Sequence, residues 1–260
     1  MSLSPGQDSV IVVDDVTLAY GDRVVLQHLS FQVYRGEVFV ILGVSGSGKS
    51  TLLKNMIGLN EPARGRVLIY GSDLAAARGE ERARLLRQFG VMYQSGALFG
   101  SMTLLENVRL PLDEFTDLRS QEKDLIALAK LNQVGMRAAA WSLPGEISGG
   151  QKKRAAIARA MALDPFILFL DEPSSGLDPI TSAGLDALIR FLSADFGITF
   201  VVVTHELQST FAIADRCIFL DARTKTLIAE GTPAELRDHA EDPTVRRFFR
   251  READPQSGVS

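Results

Sequence analysis

The sequence is poor in cysteine and has no long apolar run. Cys217 is the one cysteine among 260 residues, which excludes an internal disulfide framework and fits a reducing compartment. No apolar stretch approaches the ~20 residues that a helix needs to span a bilayer. Residues 1–8 carry neither a basic region nor an apolar core, so they lack the pattern of a secretory signal. We therefore expect a soluble, cytoplasmic protein that needs a partner to act on a membrane.

An excess of either charge is also lacking, since 28 Lys+Arg stand against 32 Asp+Glu and the pI is about 5.5. General nucleic-acid binding is not expected without a basic excess. The sequence has no internal repeat and no low-complexity segment. Its length leaves room for one large domain, or for a core with an inserted subdomain.

What the sequence does contain is a glycine-rich turn between a buried strand and a helix. The apolar run 38–42 predicts a parallel strand, and residues 49–57 predict a helix that ends at Gly58. Glycines let the amides of such a loop face a phosphate, while a lysine reaches the β- and γ-phosphates and a hydroxyl ligates Mg²⁺. The loop fits G-x-x-x-x-G-K-[ST] and comprises Gly43, Val44, Ser45, Gly46, Ser47, Gly48, Lys49, Ser50 and Thr51. The pattern predicts a nucleotide site in which Lys49 holds phosphate and Ser50 holds Mg²⁺.

A second apolar strand, residues 166–170, closes on Asp171 and Glu172. In open α/β sheets the ligand crevice lies at the carboxyl ends of the strands. We therefore expect Asp171 to lie beside the glycine-rich loop and to hold Mg²⁺ through water. Glu172 can act as a base for an attacking water, or can orient it.

Three more residues follow predicted strands, and each has two interpretations. Gln94 ends a short strand and could ligate Mg²⁺ and sense the nucleotide, or be an ordinary surface residue. His205 follows the strand 198–203 and could point to the same crevice, or be a satisfied polar residue. Tyr20 lies at the tip of a predicted hairpin and could stack on adenine, or simply end a strand.

A second glycine-bearing helix start comprises Ser148, Gly149, Gly150 and Gln151, and it precedes an alanine-rich helix predicted over 152–163. The first turn of that helix carries Lys152, Lys153 and Arg154, which oppose the helix dipole. This conflict would be resolved if the helix N-terminus received a phosphate. A solvated basic face is the alternative.

Two further regions leave alternatives open. Between residues 95 and 147 the pattern is helical, and we interpret this region as an inserted helical subdomain in which Leu98 and Phe99 pack internally or meet a partner. The tail around Phe248 and Phe249 is rich in arginine. It is either an amphipathic contact helix or a frayed terminus.

The order of these motifs resembles that of ABC transporter ATPase subunits over nearly the whole chain. The matching positions are Tyr20 (adenine stacking), Gly43 to Thr51 (Walker A), Gln94 (Q-loop), Ser148 to Gln151 (signature), Asp171 (end of Walker B), Glu172 (catalytic glutamate), Asp178 (D-loop) and His205 (switch histidine). The signature is preceded by Ile147, where the family usually has leucine. The resemblance implies an α/β fold, with a P-loop NTPase (RecA-like) core, an N-terminal antiparallel β subdomain and an inserted α-helical subdomain. It implies a single domain over 8–253, with core segments 8–94 and 151–240, the helical subdomain at 95–150 and a tail at 241–260.

The resemblance also implies a mechanism that needs two copies. The loop of one copy faces Ser148, Gly149, Gly150 and Gln151 of the other across ATP, and Asp178 serves communication between the copies. Ser50, Gln94 and Asp171 would hold Mg²⁺, and Glu172, Gln94 and His205 would serve hydrolysis. Opening of this homodimer would pass to a multispanning membrane permease through the Gln94 region and the helical subdomain.

Within the family, several segments resemble the ATPase of Mla-type transporters, namely residues 94–99, 106–112, 178–181 and 245–249. Those systems move phospholipid between bacterial membranes with an MCE-domain protein and a multispanning permease, and a small regulatory subunit is a further partner that could be present. The resemblance implies a peripheral position on the cytoplasmic face of the inner membrane. It also implies that the tail reaches the neighbouring ATPase copy.

Two other functions share the same ATP motifs. One is the ATPase of another bacterial importer, for example for amino acids. The other is a non-transport ABC ATPase, working in iron–sulfur assembly, DNA repair or translation. Long coiled-coil or zinc insertions, typical of DNA-repair members, and the fused halves typical of translation factors are both absent from the sequence.

Overall fold

The structure is a computed structural model that describes residues 8–252. The segment 1–7, part of the predicted non-signal terminus, lies outside the described residues, as does the end of the predicted tail, 253–260. The chain divides into two compact units. The first unit comprises residues up to Ala75 and from Val203 onward, and the second comprises Ala76–Val202.

The strands, in chain order, are β1 (Ser9–Tyr20), β2 (Arg23–Tyr34), β3 (Val38–Gly43), β4 (Arg64–Ile69), β5 (Ser72–Asp73), β6 (Phe89–Met92), β7 (Ile167–Asp171), β8 (Thr199–Val203), β9 (Arg216–Asp221) and β10 (Thr226–Gly231). The helices are α1 (Lys49–Met56), α2 (Gly79–Leu86), α3 (Leu104–Phe115), α4 (Ser120–Gln133), α5 (Gly149–Ala160), α6 (Pro179–Phe196), α7 (Leu207–Ile213), α8 (Pro233–His239) and α9 (Pro243–Arg250). This alternation gives the α/β architecture that the sequence predicts.

The first unit contains an antiparallel sheet of strand order β2-β1-β4-β5. The predicted hairpin is confirmed, because β1 and β2 pair on either side of a turn at Gly21, whose φ is 56°. A positive φ favours glycine, so the turn has a local cause in the sequence. β1 bulges at Asp14 and Asp15, where Gly65 of β4 approaches so closely that a Cβ would lie 2.3 Å from the Asp15 carbonyl oxygen.

The first unit also contains a second group of strands in the order β10-β9-β3, in which β3 pairs parallel with β9, and β9 pairs antiparallel with β10. Every residue of β3 is buried. A fully buried parallel strand reads as a continuous apolar run, which is why its sequence does not alternate. The strand ends at Gly43 and so delivers the glycine-rich loop at its carboxyl end.

The C-terminal tail forms the helix α9 and packs onto its own unit. Val245 and Phe249 are buried, and the Phe249 ring meets the Phe211 ring edge to face, with centroids 5.9 Å apart. The Phe248 ring meets Phe219 of β9 in the same way, at 5.0 Å. Over its described residues the tail is therefore a contact helix rather than a frayed end.

The second unit orders its strands β8-β7-β6, with β6 parallel to β7. α5 lies directly against β6, because a Cβ on Gly90 would lie 1.9 Å from the Ala160 carbonyl oxygen. Helices α3, α4 and α5 contact one another. α3 and α4 lie in the region 95–147, where the sequence predicts a helical pattern, and α5 matches the separate helix predicted over 152–163. α3 begins with a capping box formed by Thr103 and Glu106.

Within residues 8–252, no helix combines the length and the apolarity needed to cross a membrane.

Candidate nucleotide site

The loop that follows β3 has a backbone that only glycine accommodates at two points. Gly43 has φ 154°, and a Cβ there would lie 2.4 Å from the Ser47 Oγ and 2.6 Å from the Leu220 carbonyl oxygen. Gly48 has φ 92°, and a Cβ there would lie 2.8 Å from the Leu26 Cγ. Side chains at these positions would displace the loop, so the first and last glycines of the motif fix its shape.

Lys49 begins α1 directly after the loop and is only 8% exposed. Its ammonium donates hydrogen bonds to the carbonyl oxygens of Gly43, at 2.7 Å, and Val44, at 3.2 Å. These contacts hold a positive charge within the loop. The first turn of α1 carries no acidic residue, so the partial positive charge of the helix N-terminus adds to that of the ammonium. The arrangement is suited to an anion such as a phosphate.

The remaining loop residues differ in exposure. Val44, Ser45, Gly46 and Ser50 are exposed, Thr51 is half-buried, and Ser47 is buried. The Ser47 amide donates to the Val44 carbonyl oxygen at 3.1 Å, which closes the turn. Ser50 therefore presents an accessible hydroxyl next to Lys49, as a metal-ligating serine requires.

Two other predicted site residues of the first unit are accessible. The side chain of Tyr20 is exposed at the end of β1, and its hydroxyl accepts a hydrogen bond from the Asn60 Nδ2 at 3.2 Å. His205 follows β8, is also exposed, and has its Nε2 3.8 Å from the Glu206 Oε1. Exposure leaves the Tyr20 ring available for stacking and the His205 side chain accessible from solvent.

In the second unit, Gln94 and Asp171 line one pocket of about 500 Å³, together with Tyr93, Ser95 and Ser175. The Gln94 Nε2 donates to the Ser175 Oγ at 3.3 Å. Amide and carboxylate oxygens are hard donors of the kind that Mg²⁺ prefers. Mg²⁺ commonly takes only one or two protein carboxylates and completes its shell with water and substrate phosphates. The donors present fit this ion, although residues 8–252 contain no cluster of three or more His, Cys, Asp or Glu side chains.

Glu172 follows β7 with an unusual backbone. Its φ is 48°, in the left-handed region, and the residue is only 9% exposed. A non-glycine residue pays about 1–2 kcal/mol in this region, and such strain is concentrated at functional sites. The Glu172 carbonyl oxygen accepts a hydrogen bond from the Lys153 Nζ at 3.3 Å.

The start of α5 carries the predicted signature residues in an accessible capping box. The Ser148 amide donates to the Gln151 Oε1 at 2.9 Å, and the Gln151 amide donates to the Ser148 Oγ at 3.3 Å. Gly150 abuts the start of α6, since a Cβ there would lie 2.3 Å from the Thr181 Cγ2. Gly149 faces Leu177 at an ordinary contact distance. Ser148, Gly149 and Gln151 stay exposed at the helix N-terminus.

Asp178 caps α6. Its Oδ1 accepts hydrogen bonds from the amides of Ile180 and Thr181, both at 3.0 Å, and its Oδ2 accepts one from the Thr181 hydroxyl at 2.6 Å. The Thr181 hydroxyl, followed by the backbone amides, holds the pKa of the Asp178 carboxyl below its usual value. The ionised carboxylate thus orders the turn next to Gly150.

Sequence reasoning missed what the basic run after the signature does. Lys153 is only 7% exposed and donates to the carbonyl oxygens of Gln94 and Glu172. Arg154 donates to the carbonyl oxygens of Gly184, at 2.8 Å, and Val134, at 3.3 Å. These two cations are therefore neither a solvated face nor in need of an external anion. The apolar run that directly follows the pair, beginning with the buried Ala155 and Ala156, is the signal that could have indicated a buried helix here.

The family model described as ABC transporter matches residues 26–175. The "Probable ribonucleotide transport ATP-binding protein mkl" of Mycobacterium leprae is 40% identical over 92% of this chain and 68% of its own length. The intermembrane phospholipid transport system ATP-binding protein MlaF of Haemophilus influenzae is 38% identical over 95% of this chain and 92% of its own.

A solved structure is similar in fold as well. It is the dimer of an ATP-binding cassette in a post-hydrolysis state, bound to ADP and Pi. The TM-score is 0.76, with 31% identity over 85% of this chain and 98% of the other. The likeness confirms the ABC ATPase fold predicted from the motifs. The chain thus belongs to the ABC transporter family, as the ATP-binding subunit whose ATP hydrolysis is coupled to transport.

Proposed function

We propose that two copies of this chain bind two ATP molecules head to tail and drive a multispanning permease that moves phospholipid between the inner and outer membranes of a bacterium. The observation that carries the proposal is the match to the phospholipid transport protein of H. influenzae, which extends over 92% of that protein. The solved cassette dimer supports the two-copy arrangement. The accessible N-terminus of α5, with Ser148 and Gly149 exposed, leaves room for a partner's nucleotide.

In this proposal the residues divide by task. ATP is held by Tyr20 and by the loop Gly43, Val44, Ser45, Gly46, Ser47, Gly48, Lys49, Ser50 and Thr51. The partner's ATP is contacted by Ser148, Gly149, Gly150 and Gln151, and Asp178 links the two copies. Ser50, Gln94 and Asp171 would hold Mg²⁺, which when bound neutralises charge on the phosphates.

In this proposal, the charged groups of the site promote the hydrolysis of ATP. The Lys49 ammonium and the α1 N-terminus stabilise the negative oxygens of the phosphates. Glu172 accepts a proton from the attacking water, or orients it, as the bond to the γ-phosphorus forms and ADP leaves. His205 and Gln94 contribute hydrogen bonds to the water and to the γ-phosphate. Domain boundaries at 8–94, 95–150, 151–240 and 241–260 are part of the same proposal.

The partners we propose are the permease, an MCE-domain lipid-binding protein and a small regulatory subunit. The chain would lie on the cytoplasmic face of the inner membrane, held there by the permease. Phe99, which follows Gln94 by five residues in the sequence and is exposed, is suited to such a contact. A second candidate function is ribonucleotide transport, favoured by the 40% identity to the mycobacterial protein, of which the chain covers 68%.

The test is to purify the tagged chain from gently solubilised native membranes and to identify co-purifying proteins and lipids by mass spectrometry. We expect a multispanning permease, an MCE-domain protein and phospholipid, none of which should be recovered from an untagged strain. A soluble substrate-binding protein with a different permease would favour nutrient or nucleotide import. Recovery of no membrane protein would contradict every transport function.

A further inference from the structure

The ammonium of Lys153 joins two segments that are far apart in the sequence. It donates to the carbonyl oxygen of Gln94, 59 residues away, and to that of Glu172, 19 residues away at 3.3 Å. One side chain on α5 therefore fastens the segment that follows β6 to the residue that follows β7. Both fastened residues carry a proposed role in hydrolysis, whereas Lys153 carries none.

Keeping a cation at this position is costly. Burial lowers the pKa of the Lys153 ammonium, while the nearby carboxylates of Glu172 and Asp171 oppose that shift. A buried charge is tolerated when hydrogen bonds compensate for the lost water, and here two carbonyl oxygens do so. An apolar residue would fill the same space without that cost, but it would remove the Lys153 donor from both carbonyl groups. The Glu172 carbonyl oxygen would then keep its hydrogen bond from the Ser175 amide, at 3.2 Å, and lose its link to the Gln94 segment.

The carbonyl group of Glu172 belongs to a residue with a strained backbone conformation. With φ at 48°, the Glu172 backbone needs surrounding contacts to keep it there. The Lys153 ammonium, carried by a helix, is such a contact. The conformation of the Glu172 backbone in turn sets the direction of the Glu172 side chain.

The segment after Gln94 is fixed by the same helix. The Arg159 guanidinium donates to the carbonyl oxygens of Ala97, at 2.7 Å, and Gly96, at 3.0 Å. Gly96 has φ 75° and Ala97 has φ 48°, so this turn is also held in the left-handed region. Helix α5 thus holds this turn through Lys153 and Arg159, and Lys153 also donates to the carbonyl oxygen of Glu172.

We propose that Lys153 is a positioning residue for ATP hydrolysis. Its ammonium links the Gln94 segment to the backbone of Glu172, so that a displacement of the Gln94 segment changes the direction of the Glu172 side chain. The inference rests on the proposed roles of Gln94 and Glu172. The hydrogen bonds of the Lys153 ammonium go to backbone oxygens, so we expect it to act through these residues and not on the nucleotide. Its removal should therefore affect turnover and leave ATP binding intact.

The experiment compares Lys153→Met with the wild type as purified full-length chains. We expect kcat per ATP-binding site to fall about 10- to 100-fold, because small misplacements of a catalytic group have effects of this size. The Kd for ATP should not change. Lys153→Arg should retain most of the activity, since a guanidinium can donate to both carbonyl oxygens.

Lys123→Met is the matched control. Lys123 is also a buried lysine of the second unit, but it pairs with Asp113 of α3 at 3.2 Å, and neither residue has a proposed role in the site. The Lys123→Met variant should hydrolyse ATP at the wild-type rate. Counting turnover per bound fluorescent ATP analogue corrects for any misfolded fraction. If Lys153→Met does not fold, Lys153→Gln replaces it, because the shorter amide reaches at most one of the two oxygens and should also lower kcat.

Glu172→Gln, measured in parallel, distinguishes a failure of the Lys153 positioning role from a failure of the proposed role of Glu172. Inactive Glu172→Gln with fully active Lys153→Met, or Lys153→Gln in its place, would overturn the positioning role alone. Fully active Glu172→Gln would overturn the proposed role of Glu172 and this inference with it. A Lys153 variant with weakened ATP binding and unchanged kcat would also contradict the inference.

Discussion

Glu172→Gln should lower the kcat for ATP hydrolysis by at least about 100-fold, the typical contribution of a general base, and should leave the ATP affinity unchanged. Glutamine has nearly the same shape as glutamate, so the backbone at φ 48° and its hydrogen bond from Lys153 can persist. The amide, however, cannot take a proton from water. Phosphate release gives kcat, and equilibrium dialysis with ATP gives the affinity. Because bound ATP is not consumed, the variant should also accumulate as a dimer, visible by light scattering.

The matched control for this prediction is Glu114→Gln. Glu114 is an exposed residue of α3, so the same chemical change there should leave hydrolysis unaffected. Wild-type hydrolysis by Glu172→Gln would remove Glu172 from its assigned role. Loss of ATP binding in this variant would instead show that the carboxylate supports the nucleotide site itself.

Lys49→Ala should raise the Kd for ATP about 10- to 100-fold, since hydrogen bonds to charged groups contribute about 1.5–3 kcal/mol each. The ammonium is positioned at the loop by the carbonyl oxygens of Gly43 and Val44, and no other described side chain of the loop carries a positive charge. Hydrolysis should be lost in parallel. Titration of a fluorescent ATP analogue measures the effect.

Lys54→Ala is the control for Lys49→Ala, since Lys54 is exposed on the same helix, in its last turn. The thermal midpoint of both variants without nucleotide shows whether the loop remains folded. Normal ATP affinity in Lys49→Ala, with the control behaving like the wild type, would contradict the assignment of the loop.

The fold was largely predictable where burial is continuous along the chain. The strands β3 and β7 appear in the sequence as unbroken apolar runs, and each was predicted to within one residue at its ends. α7, by contrast, was not predicted. Its buried residues include Ser209 and Thr210, so the helix lacks the apolar period by which helices are recognised.

Helix boundaries were less predictable. A proline inside a helix usually ends or kinks it, yet α3 continues through Pro111 to Phe115. The side chain of Asn107 donates to the carbonyl oxygens of Phe99, Met102 and Thr103, which anchors the start of the helix. Packing of α3 against α4 and α5 outweighs the local effect of the proline.

The candidate site was predictable where its functional residues follow one another in the sequence. The loop around Lys49 and the pair Asp171–Glu172 are of this kind, because strand, turn and polar residue follow one another. Lys153 and Arg159 are of the other kind, since their carbonyl partners lie 59 and 63 residues away in the sequence. Only the tertiary structure brings a cation on a helix to a particular backbone oxygen. Since every residue has a carbonyl oxygen, the sequence does not indicate which one accepts the hydrogen bond.

The most direct test of the central claim, that ATP lies between two copies, uses Glu172→Gln chains so that bound ATP is retained. One preparation also carries Lys49→Ala, and a second also carries Ser148→Arg. If one copy supplies the loop and the other supplies the signature, each preparation alone has only broken sites, and a mixed dimer has one complete site. We predict that ATP remains bound through gel filtration only when the two preparations are mixed. Equal retention by the unmixed Ser148→Arg preparation, or none by the mixture, would contradict the account.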